Sequence, residues 1–233
     1  MASPSRNEDG SARTIREQLQ FCKHQKWGFI IYRCTYSSNA DWKLFIDRLN
    51  EKAQEGLEAS GALDLAPTLD LTVFQDKSRY NGASKDDIRK DFKHWVKSDE
   101  AAAEQPPTGA GVANKNMFGQ ATRYTFPVYV DEEAMRSVID PAPDKWPHSA
   151  YIILIDGDWE LRDPETFDYE AMGFDLDEDC MDDGEEPIEG CRLEDVGWLK
   201  AMVLDLIPGK YAGLEQPGQW AFYYRRPPGM WTY

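Results

Sequence analysis

Forty consecutive residues of this chain, Asp156 to Asp195, hold 18 Asp and Glu against two basic residues, Arg162 and Arg192. The whole chain carries 42 acids, 26 Lys and Arg and a net charge of −16, so the remainder holds 24 of each sign and is neutral. Crowded carboxylates repel one another, and each loses its hydration if it enters a core unpaired. The acidity therefore belongs to one long loop, residues 156–195, and the fold must be built from the sequence on either side of it. A surface this negative repels nucleic acid and anionic membrane at long range.

The flanks have enough material for a core. Of the 233 residues, 41% are hydrophobic, and eight Trp, 11 Tyr and 10 Phe supply bulk. A chain of this size buries enough surface to fold without a disulfide or metal staple. The opening MASPSRNEDG has no apolar run and reads as free of a secretory signal. The longest aliphatic run, Ile152 to Ile155, falls far short of the roughly 20 residues that span a bilayer. Cys22, Cys34, Cys180 and Cys191 form no CxxC pair, and three histidines are too few for a zinc framework. Reduced thiols in a cytoplasmic protein are expected, the alternative being a Cys180–Cys191 bridge at the base of the acidic loop.

Periodicity then orders the elements. An amphipathic helix is expected over 11–24, and residues 1–25 form a tail with this short helix ahead of a single domain over 26–233. Trp27 to Tyr36 is a strand, and Ser38 or Asn39 caps a helix over 41–60 with Trp42, Phe45, Ile46, Leu49, Ala53 and Leu57 inward. Leu69 to Phe74 is a second strand. Ser84 and Asp87 open a helix to about residue 102 with Ile88, Phe92, Trp95 and Val96 inward. Residues 104–116 are a connector. Strands follow over 123–130, 151–155, 198–204 and 220–225, with a short helix at 132–138 and a turn or short helix at 207–214. The order predicts an α+β fold: a ferredoxin-like or related βαβ-type sandwich, a mixed sheet with helices mainly on one face and a long acidic loop.

Taken alone, the loop is most simply a solvated acidic face. Three chemistries compete with that reading: Ca²⁺ or Mg²⁺ binding, capture of a guanidinium, or a general base with its pKa raised by its neighbours. Asp175, Asp177, Asp179 and Glu186 match EF-hand positions 1, 3, 5 and 12. Position 6, however, is Cys180 where the sharp turn needs Gly, and flanking helices are lacking, so an EF-hand is not expected.

Asp182-Asp183-Gly184-Glu185-Glu186 has the form D-D-x-x-E. With KWGFIIYRCTY, an Asp-Trp helix start, EGC, EDVGWLK and the terminal YYRRPPGMW, it resembles the fungal arginine-containing cyclodipeptide synthases over most of residues 27–231. The resemblance implies tRNA-dependent synthesis of a cyclic dipeptide from arginyl-tRNA and a second amino acid, also as aminoacyl-tRNA. It implies Asp182, Asp183 and Glu186 as the essential carboxylates. The chemistry suits them: an α-ammonium of pKa about 7.7–8.0 must lose its proton to become a nucleophile, and a carboxylate can grip a guanidinium in a bidentate pair. No cofactor or metal is expected, because aminoacyl esters are already activated.

Other residues are weighed against structural roles. Ser37 and Ser38 follow the first strand, where bacterial cyclodipeptide synthases use a serine, but no base is visible beside them and capping accounts for Ser38. His24, His94 and His148 occupy unrelated elements. Lys85, Arg89, Lys93 and Lys97, spaced by four with Lys90 beside them, form a stripe that is either a solvated face or a row of tRNA phosphate contacts. Arg225 and Arg226 are further phosphate candidates. Trp198 and Tyr223 are core residues or pocket walls. The reading from a different class is a non-catalytic acidic module that binds a basic partner or a metal.

Overall fold

The computed structural model describes residues 9–104, 121–141, 149–160, 184–216 and 218–232. Six strands form one mixed sheet in the order β2-β1-β3-β4-β5-β6: β1 Ile30–Arg33, β2 Thr72–Phe74, β3 Val128–Val130, β4 Tyr151–Ile155, β5 Trp198–Met202 and β6 Met230–Trp231. The first three strands are parallel, β4 runs antiparallel to both β3 and β5, and β6 is parallel to β5. The mixed sheet and the α+β class are as expected.

The helices are α1 Gly10–Cys22, α2 Asn39–Ala59, α3 Lys77–Tyr80, α4 Lys85–Val96, α5 Asp99–Ala103, α6 Glu132–Ile139, α7 Tyr211–Gly213 and α8 Gln219–Tyr223. Their starts follow local chemistry. Ser38 caps α2 by accepting from the Asp41 amide at 3.1 Å, and Ser84 and Asp87 make a reciprocal capping box on α4. Ser98 caps α5, so the long helix expected over 84–102 is two helices with a break between them.

The βαβ expectation holds in a related form. The chain leaves β1 for β2 on one side and returns to β3 on the other, which places the two crossovers on opposite faces. Arg33 stacks on Trp42 of α2 at 5.0 Å, while Tyr32 donates to Asp91 of α4 at 3.2 Å. Helices thus cover β1 from both sides rather than mainly one, and all four of its residues are buried. Phe29 and Trp27 meet Tyr211 edge-on at 5.2 and 5.1 Å in the core beneath α2.

Two strand expectations are corrected: the strand expected over 123–130 is present only as Val128–Val130, and that over 220–225 is not a strand. Residues 122–124 are a 3₁₀ turn, because Arg123 is fully buried and committed to Glu104 at 2.8 Å and to the Asp70 carbonyl at 2.8 Å. Residues 220–223 are helical, and Met230–Trp231 closes the sheet instead. The alternating aromatics there pack helically: Trp220 stacks on Phe126 at 5.3 Å and tilts against Tyr224 at 5.9 Å.

Candidate functional site

β1 and β3 lie side by side and parallel, with their crossovers departing to opposite sides, so their carboxyl ends form the switch point at which open α/β sheets place ligands. The loop after β1 and the start of α6 meet there. Ser37 and Thr35 both donate to Glu132 Oε2, at 2.5 and 2.6 Å, and Arg136 donates to its other oxygen at 2.8 Å. These hydroxyls, with Arg136, hold the Glu132 carboxyl down at about 2. A carboxylate that acidic is a poor proton acceptor, so Ser37 has a partner but not an activating base. Ser38 is occupied in capping α2.

The neighbouring face of the sheet carries two lysines over aromatic rings. Lys85 Nζ sits 4.1 Å from the Trp198 ring and 5.2 Å from that of Tyr129, and ion-pairs with Glu189. Lys200 Nζ lies 4.3 Å over Tyr151 and pairs with Glu133 at 3.1 Å. Glu189 reaches Lys85 because Ile188 and Cys191 exchange both backbone hydrogen bonds around Glu189 and Gly190, whose φ values are +52° and +86°. Two left-handed residues in a two-residue turn define a tight hairpin that favours Gly at one corner.

The D-D-x-x-E motif meets this region at its carboxyl end. Asp182 and Asp183 lie outside the described residues, as do Asp175, Asp177, Asp179 and Cys180. Glu186 is exposed, and its side chain makes no hydrogen bond or ion pair among the described residues. Its backbone is held firmly. Arg226 Nη2 donates to the Glu186 carbonyl at 2.6 Å and to that of Cys191 at 3.4 Å, while Nη1 serves the carbonyls of Leu193 and Glu194. Arg226 is therefore committed to the loop and is not a free phosphate ligand. Arg225 is exposed, with its guanidinium turned to the Phe222 and Tyr224 carbonyls at 3.1 and 2.6 Å. Cys191 is a buried free thiol, and Cys180, the other end of the bridge weighed from sequence, lies outside the described residues.

The basic stripe is corrected by the structure. Lys85 and Arg89 are buried at 8% and 5% exposure, so they are not on a solvated face. Arg89 donates from Nε to the Asp156 carbonyl at 2.9 Å and from Nη2 to the Gly197 carbonyl at 3.0 Å, pairs with Asp86, and lies 4.8 Å over Trp159. The helical rotation that puts Ile88 and Phe92 in the core carries residues 85 and 89 partly inward with them. Lys93 pairs with Glu160 at 2.8 Å, and only Lys90 and Lys97 stand out as exposed cations of this group. Trp198 is the wall beneath Lys85, whereas Tyr223 stacks on Trp231 at 4.4 Å.

Sequence reading missed the two acids that bound the acidic segment. The Asp156 amide donates to the Gly197 carbonyl at 3.0 Å, and the Trp159 indole donates to the Asp195 carbonyl at 3.2 Å, so the two ends of the segment meet. Burial, with Asp158 and Asp195 nearby, pushes the Asp156 carboxyl up to about 6. Burial also raises Asp195, which accepts from the Trp220 indole at 2.8 Å. Within so acidic a run, nothing in the sequence marks these two as the anchored ones. Among the described residues no group of three or more His, Cys, Asp or Glu could hold a metal ion, and no helix is long and apolar enough to cross a membrane.

Compared with known proteins, the chain matches no family model, no curated protein and no solved structure.

Proposed function

We propose that the chain joins arginine from arginyl-tRNA to a second aminoacyl-tRNA and closes the product into a cyclic dipeptide, with Asp182, Asp183 and Glu186 as its catalytic carboxylates. The observation that carries this reading is the state of Glu186. Arg226 fixes its backbone at 2.6 Å while the carboxylate is exposed and makes no hydrogen bond or ion pair among the described residues. An exposed carboxylate can take an ammonium proton or pair with a guanidinium. An acid kept idle at a pinned position serves a ligand more readily than it serves the fold.

The chemistry asked of the motif is modest. The α-ammonium of one substrate gives a proton to a carboxylate, and the free amine attacks the ester carbonyl of the other. The ester C–O bond breaks, the tRNA 3′-terminal oxygen leaves with that proton as a hydroxyl, and the carboxylate takes the second proton that the nitrogen sheds as it becomes an amide and releases it to solvent. Repetition on the remaining ester closes the six-membered ring and frees the second tRNA. A second carboxylate of the motif grips the arginine guanidinium in a bidentate pair, which a lysine could not match. With Lys85 and Arg89 buried, any phosphate contacts on α4 and its C-cap fall to Lys90 and Lys97.

The competing reading is a non-catalytic module that captures a basic partner, and the concentration of 18 acids in one tied-off segment favours it. Product analysis separates the two. Purified chain supplied with arginyl-tRNA and a mixture of other aminoacyl-tRNAs should yield an arginine-containing diketopiperazine by mass spectrometry. No such product from wild-type chain, under conditions where the tRNAs stay charged, ends the enzymatic reading.

A further inference from the structure

Among the described residues β2 pairs with β1 alone, so it is an edge of the sheet. The ladders fix where its free backbone groups point. Cys34 donates to the Val130 carbonyl at 2.9 Å, so Tyr32 and Cys34 bond towards β3, and Ile31 and Arg33 towards β2. Ile31 lies opposite Val73, and in a parallel ladder a residue bonds to the two that flank its partner, here Thr72 and Phe74. The N–H and C=O of Val73 therefore point away from β1, and neither has a partner among the described residues. Residues 71–74 are half-buried, and Gln75 and Asp76 are exposed, so this edge is open to solvent.

A cavity of about 370 Å³ opens beside the same edge, between Val73, Phe74 and Asp76 on the strand side and Asp91, Trp95 and Glu100 of α4 and α5. Its walls are aromatic, with Phe74 edge-on to Trp95 at 5.8 Å. Three carboxylates line it, Asp76, Asp91 and Glu100, against His94 and one guanidinium, that of Arg79. Arg79 is already paired with Asp91, which leaves Asp76 and Glu100 without an ion-pair partner among the described residues. An open strand edge thus adjoins an aromatic cavity with acid to spare.

We propose that β2 takes an added antiparallel strand from a partner, an extended peptide with a basic side chain three residues before the one that pairs with Val73. An antiparallel strand on the edge of a parallel set is a common arrangement. The residue opposite Val73 exchanges both backbone hydrogen bonds with it, and the basic residue then falls opposite Asp76. Asp76 is still extended, at φ −78° and ψ 107°, and residues two apart share a face, so the basic side chain lies on the Phe74 side, towards the cavity. Main-chain bonds supply affinity, while the rings and carboxylates select the cation. The net charge of −16 opposes a second copy of this chain at the edge and favours a basic partner. The site uses no residue of the D-D-x-x-E motif and stands whether or not the chain is an enzyme.

The test titrates the full chain by NMR with three acetylated and amidated hexapeptides, RTVTVT, QTVTVT and ETVTVT. RTVTVT should saturate, shift the Val73 amide, and bind several-fold tighter than QTVTVT, with ETVTVT weakest and the differences shrinking at high salt. N-methylation of the fourth peptide residue, which faces Val73, should cost about tenfold, whereas N-methylation of the third, whose N–H points away, should cost little. Asp76→Asn with Glu100→Gln should bring RTVTVT down to the level of QTVTVT; asparagine still caps α3, so the fold should hold. No saturation by RTVTVT, equal binding of ETVTVT, or equal cost of the two N-methylations overturns the proposal. So does a dimer of the chain alone that Val73→Pro abolishes, since the edge would then belong to a second copy.

Discussion

Arg89 ties the two ends of the acidic segment together: its Nε donates to the Asp156 carbonyl and its Nη2 to the Gly197 carbonyl, at 2.9 and 3.0 Å. A run of 40 residues with 18 carboxylates repels itself, and the cation that closes its base is taken from α4 rather than from solvent. Gly197 is part of the same joint. Its φ is +72°, and a Cβ there would stand 2.4 Å from the Trp159 ring and 2.7 Å from Arg89 Nη2.

Arg89→Leu should destabilise the chain by about 2–4 kcal/mol, because it leaves two carbonyls without donors and removes a buried cation from beside raised carboxyls. Urea unfolding measures the loss, and limited proteolysis should show faster cleavage between 156 and 197. Gly197→Ala should cost about 1–3 kcal/mol through the same joint. Wild-type stability in both variants would mean that the closure is incidental.

Asp156 gives the pH dependence a definite sign. Its folded carboxyl titrates at about 6, above the ordinary value of 3.8. Such a group contributes stability below about 3.8 that is lost as the pH rises through 6. Asp156→Asn keeps an acceptor for the Asp158 amide, which stands at 2.9 Å, and removes the charge. The variant should match wild type at pH 3.5 and gain on the order of 1–2 kcal/mol at pH 7.5. Glu132 runs the other way. Held at about 2 against 4.5, it contributes stability above about 4.5 that is lost as pH falls towards 2. Glu132→Gln should therefore cost stability at pH 7 and little at pH 2, read from thermal melts across that range.

Legibility from sequence tracked how local each signal was. The Ser38 and Ser84 caps, the α2 stripe through Phe45 and Leu49, and the aliphatic strand Ile152–Ile155 are set by neighbours within a few residues, and they are where the sequence places them. Arg123 reads as an exposed strand residue until Glu104 and Asp70 arrive from elsewhere in the chain. Residues 220–223 alternate like a strand, but Asp195 and Phe126 capture Trp220 and settle a helix. The same limit explains the stripe. Spacing by four puts residues on one side of a helix without saying whether that side meets water or an acidic loop, and Lys85 and Arg89 meet the loop.

If tRNA docks against α4, the exposed Lys90 and Lys97 are the cations able to reach phosphate. Lys90→Glu with Lys97→Glu should weaken aminoacyl-tRNA use and flatten its salt dependence by roughly one unit of slope for each phosphate no longer neutralised. Folding should be unaffected, since neither side chain is buried. The measurement is the apparent affinity for aminoacyl-tRNA at two salt concentrations. Equal slopes for variant and wild type would remove α4 from the tRNA surface.

Glu186 and Arg226 separate chemistry from scaffold within the motif. Glu186→Gln leaves the backbone carbonyl available to Arg226 and changes only an exposed side chain, so the melting temperature should hold. Product formation should nevertheless fall by about a hundredfold or more if Glu186 accepts a proton or holds the guanidinium. Asp182→Asn and Asp183→Asn are expected to lose product in the same way. Arg226→Ala acts through position instead. Four carbonyls between Glu186 and Glu194 lose a donor, and water replaces it only in part, because the Arg226 side chain is 14% exposed. That variant should lose about 1–2 kcal/mol of stability together with part of its turnover. Arg226→Lys, with one point charge in place of a fork, should fall between the two. The decisive contrast is Glu186→Gln at full stability. Undiminished product there would leave Arg226 as the anchor of a loop whose glutamate does no chemistry, and the acidic-module reading would take its place.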